Sequence, residues 1–184
     1  ISEIRIQEAL THFILSIQSF DSKYDLGRQL VPNDAVPFPN FSQQENQGKQ
    51  LFLAAPVFNG NGMRTGGGAG CQGCHRAPEF DIDPNSRNNG VTGTFNGLQD
   101  FSVTRSPSLR DLFNQSGQIN GPFMHNGVFS NLRSVINHYN QIPDINLNLD
   151  PKLSPNGHPQ LLNLTEAEKD NLVAFLKTLS GDDI

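Results

Sequence analysis

The chain has 184 residues, a length that fits a single domain. Its 13 basic and 18 acidic residues give a net charge of −5, which argues against nucleic-acid binding because that function needs a basic face. Hydrophobic residues make up only 35% of the chain, beside 17 glycines and 12 prolines, so much of it must form loops. No segment approaches the roughly 18 continuous apolar residues of a membrane-spanning helix.

The first half of the chain predicts two helices. Residues 4–20 carry apolar side chains at helical spacing, and we expect this helix to end near Asp21. The apolar positions are Ile4, Ala9, Leu10, Phe13, Ile14, Ile17 and Phe20. A proline-rich passage follows, and a second helix is predicted over residues 47–55. The first helix and the proline-rich passage form a segment, residues 1–40, that precedes the main domain, residues 41–184.

The second half begins with irregular sequence, because residues 76–104 are rich in Asn, Asp and Gly. Pro107 suits the first turn of a short helix that extends to residue 113. Ser130 is predicted to cap a further helix over residues 131–140. No strand pattern is visible, so the predicted fold class is all-α with long loops.

The last helix has the strongest signals. Thr165 and Glu168 form a capping box at its start, and Gly181 is predicted to end it. The residues predicted to face the core are Leu172, Val173, Leu176 and Leu179.

Residues 71–75, Cys-Gln-Gly-Cys-His, form the attachment signature of a c-type haem. Each cysteine thiol can form a thioether with one haem vinyl group, and the histidine then lies under the iron as an axial ligand. A zinc site needs two further ligands at matching spacing, and a thioredoxin-like cysteine pair needs a βαβ pattern; neither is visible. We therefore predict one covalent haem c, held by Cys71, Cys74 and His75 in a cytochrome c-like helical domain.

The haem also indicates where the protein works. A c-type haem is normally attached after export, so we expect a periplasmic or otherwise exported protein. The sequence shows no basic segment followed by an apolar run, as a signal peptide would. We therefore expect it to be the sequence of a processed chain.

A six-coordinate haem needs a second axial ligand, whose identity sets its redox potential. The candidates are Met63, Met124, His12, His125, His138, His158, Tyr24 and Tyr139. On the predicted helix 131–140, Tyr139 shares the apolar face with Leu132, whereas His138 points the other way. Spacing alone leaves open whether Tyr139 packs in the core or binds iron, and Met124, in a turn-rich loop, is a rival. The residues expected at the surface are His12, His138 and His158.

Four segments of the chain resemble one protein family. Residues 105–111, Arg-Ser-Pro-Ser-Leu-Arg-Asp, and 122–127, Pro-Phe-Met-His-Asn-Gly, strongly resemble the carboxy-terminal haem domain of bacterial di-haem cytochrome c peroxidases and their MauG-type relatives. Residues 164–179 resemble the end of that domain, and residues 9–25 resemble the stretch that joins the two haem domains. The resemblance implies an α-helical fold of the cytochrome c type.

The resemblance also bears on the ligands. In this family the distal ligand comes from the helix after the Pro-x-x-His-Asn-Gly loop, and the corresponding position here is Tyr139, with Met124 as the alternative. A tyrosine ligand lowers the iron potential, whereas a methionine raises it. The family further binds calcium near the domain boundary, which implies a calcium site at the backbone carbonyls of Asn120 and Pro122.

Two arginines lie in the segment 105–111, the first of the four that resemble the family. Arg105 and Arg110 are candidates for pairing with the haem propionates, because a guanidinium suits a carboxylate. A surface position is the alternative for both residues.

In this family peroxide chemistry occurs at a second haem in a preceding domain, whereas this chain has one haem motif. We expect either part of a di-haem protein or a natural single-haem protein. The favoured function is electron transfer with a cytochrome or cupredoxin partner. The alternatives are a peroxidase-like enzyme, with His125 or Glu79 as acid–base helpers, and a gas-binding haem module. An apolar patch on the first helix is expected to contact a preceding haem domain or another chain.

Overall fold

The computed structural model of the chain describes residues 2–16, 19–82, 85–95, 98–143 and 145–181. Within these ranges the helices are α1 (Glu3–Ser16), α2 (Lys23–Arg28), α3 (Gln43–Leu53), α4 (Leu132–Asn140) and α5 (Glu166–Lys177). Short 3-10 turns cover Cys71–Gly73, Pro151–Leu153 and Pro155–Gly157. The strands are β1 (Pro56–Phe58), β2 (Arg64–Gly67), β3 (His75–Arg76), β4 (Asp81–Ile82), β5 (Gly93–Phe95) and β6 (Leu98–Asp100).

The strands pair in chain order as two-stranded antiparallel sheets, β1 with β2, β3 with β4 and β5 with β6. The prediction of an all-α fold is therefore wrong, since the structure is 36% helix and 14% strand. Each strand is only two to four residues long. Such strands are too short to show the alternation of apolar and polar residues that identifies a strand in a sequence.

The capping box predicted for the last helix is confirmed. Thr165 Oγ1 accepts a hydrogen bond from Glu168 N at 3.2 Å, and Glu168 Oε2 accepts one from Thr165 N at 2.8 Å. The helix ends at Lys177, before the predicted Gly181. The next three amides each bond a carbonyl three residues back, so the chain tightens into a 3-10 turn instead of continuing the α-helix.

Two other helices form where they were predicted, with changed starts. α4 matches residues 131–140, but Asn131 rather than Ser130 caps it, through a side-chain oxygen that accepts a backbone hydrogen bond. α3 begins four residues before the predicted residue 47, because Ser42 provides an earlier cap. The six-residue helix α2 was not predicted, since one and a half turns show no usable periodicity.

Residues 107–113 do not form the predicted helix. Asp111 has a φ of 54°, and this left-handed conformation interrupts a right-handed helix. Leu109 N donates to Phe80 O at 3.1 Å instead of to a carbonyl of its own segment. Tertiary hydrogen bonding therefore overrides the helix signal of Pro107.

Aromatic side chains form the centre of the core. Rings of Tyr24, Phe52, Phe80 and Phe175 approach their neighbours at centroid distances from 4.7 to 6.4 Å, mostly edge to face. Edge-to-face and tilted contacts of this kind add to the burial of apolar area. Tyr24 lies within the predicted segment 1–40 yet packs against the same rings as the rest of the core. The boundary at residue 40 itself stays a prediction.

Helices α3 and α5 pack closely because α3 has a glycine at the contact. A Cβ atom at Gly48 would lie 1.9 Å from the carbonyl oxygen of Asn171, so no other residue fits there. Among the residues predicted to face the core from α5, Leu172, Leu176 and Leu179 are buried and Val173 is half-buried. Phe175, which was not predicted, is fully buried at the centre of this contact.

Helix α1 covers most of the residues predicted to be helical near the start, and its described residues are all exposed. Its large apolar side chains are each at least 50% exposed; they are Ile4, Ile6, Leu10, Phe13, Ile14 and Leu15. Ile17, which was predicted on the same helix, lies outside the described residues. The predicted apolar patch on this helix is thus confirmed as an exposed surface. In the ranges given above, no helix is long and apolar enough to cross a membrane.

Candidate haem site

The two cysteines lie in and just after a single 3-10 turn. Gly70 precedes the turn with a φ of 71°, a conformation that favours glycine. A hydrogen bond of 3.2 Å from Cys74 N to Cys71 O closes the turn, and His75 follows as the first residue of β3. Burial raises the pKa of the Cys71 thiol to about 12. The three predicted haem-binding residues therefore belong to one tight unit of backbone.

The ring of His75 is held by two backbone carbonyls. Its Nδ1 atom lies 3.0 Å from Pro107 O and 3.2 Å from Phe80 O. Carbonyl oxygens only accept hydrogen bonds, so Nδ1 must carry the proton and Nε2 keeps its lone pair. Burial also lowers the pKa of His75, against the effect of the two carbonyls, and thereby favours the neutral ring. A neutral histidine with Nδ1–H bonded to a carbonyl and Nε2 available is the usual arrangement of an axial ligand.

Tyr139 lies on α4 near the two cysteines. Burial raises the pKa of its hydroxyl to about 12, and the sulfur groups of Cys74 and Cys71 are close enough to act in the same direction. A side-chain hydrogen bond with Asn89 acts in the opposite direction. The backbone carbonyl of Tyr139 accepts a 2.7 Å hydrogen bond from Gln160 Nε2, which fixes this end of the helix.

The alternative distal ligand, Met124, lies in a turn that backbone hydrogen bonds hold in place. Its φ is 70°, and its carbonyl accepts a 3.1 Å hydrogen bond from Gly127 N. Phe123 N donates to Phe129 O at 2.7 Å and so closes the loop around it. The Met124 sulfur lies 3.4 Å from Asn89 Nδ2. Both distal candidates therefore contact one asparagine.

Sequence reasoning did not identify Asn89. It lies in an Asn-Asn-Gly stretch within residues 76–104, where the sequence is irregular and Glu79 was the residue considered for a functional role. Asn-Gly is a turn signal, but a turn signal does not tell which side chain points toward a ligand. Only the tertiary structure brings Asn89 next to Met124 and Tyr139.

The histidines without a predicted role differ from one another. His12 and His158 are exposed, as predicted. His138 was also predicted at the surface, and this is wrong: its Nε2 lies 2.8 Å from Asn89 O, and burial lowers its pKa. Its ring also faces Phe129 at a centroid distance of 5.6 Å. His138 therefore packs between the Asn89 loop and Phe129.

The remaining candidates lie in other surroundings. Tyr24 is buried in the aromatic core, where its hydroxyl donates to Asp34. Met63 is 40% exposed and takes part in a β-bridge with Leu161. His125 Nε2 lies 3.2 Å from Asp100 Oδ2.

The guanidinium of Arg110 is buried and makes all its hydrogen bonds within the protein. Its two terminal nitrogens bind the two carboxylate oxygens of Asp25 at 2.7 and 2.8 Å. The carbonyl oxygens of Pro78 and Ser19 accept the other N–H groups. These five bonds use every donor of a guanidinium, which leaves none for a haem propionate. Arg110 thus joins the start of the chain to the segment after the haem motif.

The other predicted site residues are at the surface. Arg105 is exposed, and the described residues provide it with no hydrogen bond or ion pair, so its pairing with a propionate stays a prediction. Asn120, Pro122 and Glu79 are exposed as well. Groups of three or more His, Cys, Asp or Glu side chains that could hold a metal are absent from the described part of the chain. A calcium site made from backbone carbonyls also stays a prediction.

The residues present fit a covalent haem. Cys71 and Cys74 supply two thiols in one turn, and His75 offers Nε2 because its Nδ1 is bonded to carbonyls. Tyr139 and Met124 supply an oxygen and a sulfur donor beside the same asparagine.

Comparison with known sequences gives the family. No model of a known protein family matches the chain. The methylamine utilization protein MauG of Methylorubrum extorquens is 30% identical over 164 residues, which cover 84% of this chain and 42% of that protein. MauG of Methylophilus methylotrophus is 28% identical over 193 residues, with coverages of 98% and 48%. The cytochrome-c peroxidase IdrP2 of Pseudomonas sp. strain SCT is 39% identical over 84 residues, with coverages of 46% and 19%.

The chain belongs to the family of MauG proteins and di-haem cytochrome c peroxidases. It spans less than half the length of these three relatives.

Solved structures agree on the fold. A MauG-like protein associated with microbial copper homeostasis matches with a TM-score of 0.63 at 24% identity, over 99% of this chain and 58% of that one. The diheme peroxidase BthA from Burkholderia thailandensis E264 matches with a TM-score of 0.51 at 22% identity, over 88% and 46%. At these identities the two matches show a shared fold.

Proposed function

We propose that this chain is an electron-transferring haem c domain of a MauG-type, peroxidase-like oxidoreductase, with one haem held between His75 and Tyr139. The observation that supports this most is the His75 ring, whose Nδ1 is within 3.2 Å of two carbonyls so that Nε2 is available for iron. The position of Tyr139, within electrostatic reach of both cysteines, supports it as the distal ligand.

Each residue has a defined part in this proposal. When bound, the haem supplies one-electron redox chemistry. Cys71 and Cys74 would hold it covalently, and the carbonyls of Phe80 and Pro107 keep the His75 ring in one tautomer and one orientation. Tyr139 would offer a phenol oxygen, and a phenolate ligand would favour the oxidised iron and so lower the potential.

The proposal includes partners and a location. Covalent haem and membership of the MauG family favour an exported protein that exchanges electrons with a small redox protein of the cytochrome or cupredoxin type. The relatives are about twice as long as the matched part, and α1 exposes a row of apolar side chains. Both observations favour contact with a second haem domain or another chain.

The first experiment tests the covalent haem. The Cys71→Ser/Cys74→Ser protein is expected to contain no haem that survives denaturation, as measured by mass spectrometry and haem staining of denatured protein. Each single variant leaves one thioether position and serves as the control for expression and folding. Covalent haem in the double variant would refute the attachment site.

A redox titration followed by haem absorbance then tests the distal ligand. We expect a clearly negative midpoint potential, which the Tyr139→Phe substitution raises because the phenolate is lost. The Met124→Leu substitution, the matched control, should leave the midpoint near that of the wild-type protein. A clearly positive wild-type midpoint that falls in Met124→Leu would show that the methionine binds iron instead.

A further inference from the structure

Three consecutive carbonyls after the haem motif are each bonded by one of three consecutive residues further along the chain. The acceptors are the carbonyl oxygens of Pro78, Glu79 and Phe80, and their respective donors are Arg110 Nη2, Ser108 Oγ and Leu109 N, at 2.6, 2.7 and 3.1 Å. We call residues 78–80 the proximal loop. All of its carbonyls are therefore tied to one short segment of the chain.

The proximal loop in turn orients the ring of His75. Phe80 O lies 3.2 Å from His75 Nδ1, and Pro107 O, just before the three donors, lies 3.0 Å from the same nitrogen. A histidine ligand that donates its second ring N–H to a carbonyl is held in one orientation and is more basic toward a metal. The position of Phe80 O therefore bears on how His75 would bind iron.

The backbone of Phe80 needs support from outside. Its φ is 52°, in the left-handed region that costs energy for a residue with a Cβ atom. The Phe80 ring is fully buried in the aromatic core, which fixes the side chain but not the direction of the carbonyl. That direction depends on the hydrogen bonds that the proximal loop accepts.

Among the three donors, Arg110 forms the strongest attachment. Its Nε also donates to Pro78 O, at 3.0 Å, so two N–H groups hold one carbonyl. Hydrogen bonds from a charged donor are about twice as strong as those between neutral groups. The guanidinium is itself fixed, because its side chain is 6% exposed and Asp25 binds both of its terminal nitrogens. Arg110 thus fastens the proximal loop to α2.

We propose that Arg110 is a positioning residue for His75, which acts with Ser108 and Leu109 through the proximal loop. By holding the loop, it keeps Phe80 O on the Nδ1–H group of His75. This contact makes the histidine a stronger donor to oxidised iron and so keeps the midpoint potential low. The inference rests on the proposed function, since it needs a haem iron bound by His75.

The test measures the midpoint potential of the haem-loaded Arg110→Lys variant. A lysine keeps the positive charge but has no planar fork, so it cannot hold Pro78 O and both carboxylate oxygens of Asp25 at once. We expect the loosened loop to weaken the Nδ1–H bond of His75, which lowers the basicity of the ligand and raises the midpoint. A fall in the midpoint of the folded variant, or no change, would contradict the role of Arg110.

Arg64→Lys is the matched control. Arg64 is a second arginine with a mostly buried side chain, 12% exposed, and it also binds a carboxylate and a carbonyl, those of Glu168 and Gly67. These acceptors lie outside the proximal loop. Both variants should lose stability in denaturant unfolding, but only Arg110→Lys should shift the midpoint. An equal shift in Arg64→Lys would mean that general loosening of the protein sets the potential, and it would refute the role of Arg110.

Ser108→Ala covers the case in which Arg110→Lys does not fold. Ser108 is exposed, and the substitution removes the donor to Glu79 O without a change of charge. We expect this variant to fold and to show a smaller rise in midpoint. An unchanged midpoint with the covalent haem intact overturns the control of His75 by the proximal loop and leaves the proposed function standing. Wild-type protein without covalent haem overturns the proposed function, and this inference with it.

Discussion

The aromatic core and the loop of Asn88 and Asn89 beside the two candidate distal ligands (the distal side) are held in place by different kinds of interaction. In the core, Phe52, Phe80 and Phe175 are at most 1% exposed and pack ring against ring. On the distal side, Asn88 and Asn89 fix the loop through directional hydrogen bonds. Packing energy is the sum of many weak contacts, whereas a hydrogen bond depends on one pair of atoms. Core substitutions should therefore change stability, and distal substitutions should change the chemistry.

The largest stability effect is expected from Phe175→Ala. Removing a fully buried ring costs about 3–5 kcal/mol, because transfer energy is lost and a cavity is left between α3 and α5. Denaturant unfolding of the haem-loaded protein measures this loss. The midpoint potential of the folded variant should equal that of the wild-type protein.

A matched control for this variant is Phe13→Ala on α1. Its ring is 64% exposed, so the free energy of unfolding should change by about 0.5 kcal/mol or less. If Phe175→Ala shifted the midpoint potential as strongly as is expected of Tyr139→Phe, the core and the distal side would not be separate in function.

A smaller effect is expected at the junction made by Arg110. The Asp25→Asn substitution breaks the bidentate ion pair between Asp25 and Arg110. The Asp25 side chain is 11% exposed and the Arg110 side chain is 6% exposed. The guanidinium is then buried without its carboxylate, which should cost about 3 kcal/mol at neutral pH. Asp170→Asn removes an exposed partner of Arg133 instead and should cost less than about 1 kcal/mol.

The contribution of the Asp25 ion pair depends on pH in a defined direction. Burial raises the pKa of Asp25, but hydrogen bonds from Arg110 and Ser22 outweigh burial and hold it below its ordinary value of 3.8. A carboxyl group with a lowered folded pKa stabilises the protein fully above its unfolded pKa and loses this effect as the pH falls through the folded pKa. The stability difference between wild type and Asp25→Asn should thus be constant at neutral pH and shrink below about pH 4. A difference that grew in acid would contradict this assignment.

The parts that sequence reasoning found are those with local signals. The Cys-x-x-Cys-His motif, the Thr165–Glu168 capping box and α4 each depend on residues a few positions apart. The capping box formed as predicted, and α4 formed in the predicted place with Asn131 instead of Ser130 as its cap. The haem attachment itself stays a prediction until it is measured.

The features that sequence reasoning missed depend on contacts between residues far apart in the chain. The segment from Pro107 failed to form a helix because Leu109 bonds Phe80, 29 positions earlier in the chain. The contact between Asn89 and Met124 spans 35 positions, and no local pattern indicates it. The five bonds of Arg110 likewise reach residues up to 91 positions away, which turns a predicted propionate partner into a structural junction.

The smallest expected effect is at the capping box of α5, which tests whether a local signal acts locally. Thr165→Ala removes the side-chain acceptor of Glu168 N and should lower the free energy of unfolding by about 1 kcal/mol. Thr165→Ser keeps the acceptor and should restore most of that loss. Because Glu168 also binds Arg64 of β2 at 2.6 Å, the helix start stays attached to the hairpin without the cap. The midpoint potential should therefore not move in either variant, and a shift would mean that the start of α5 influences the haem site through β2.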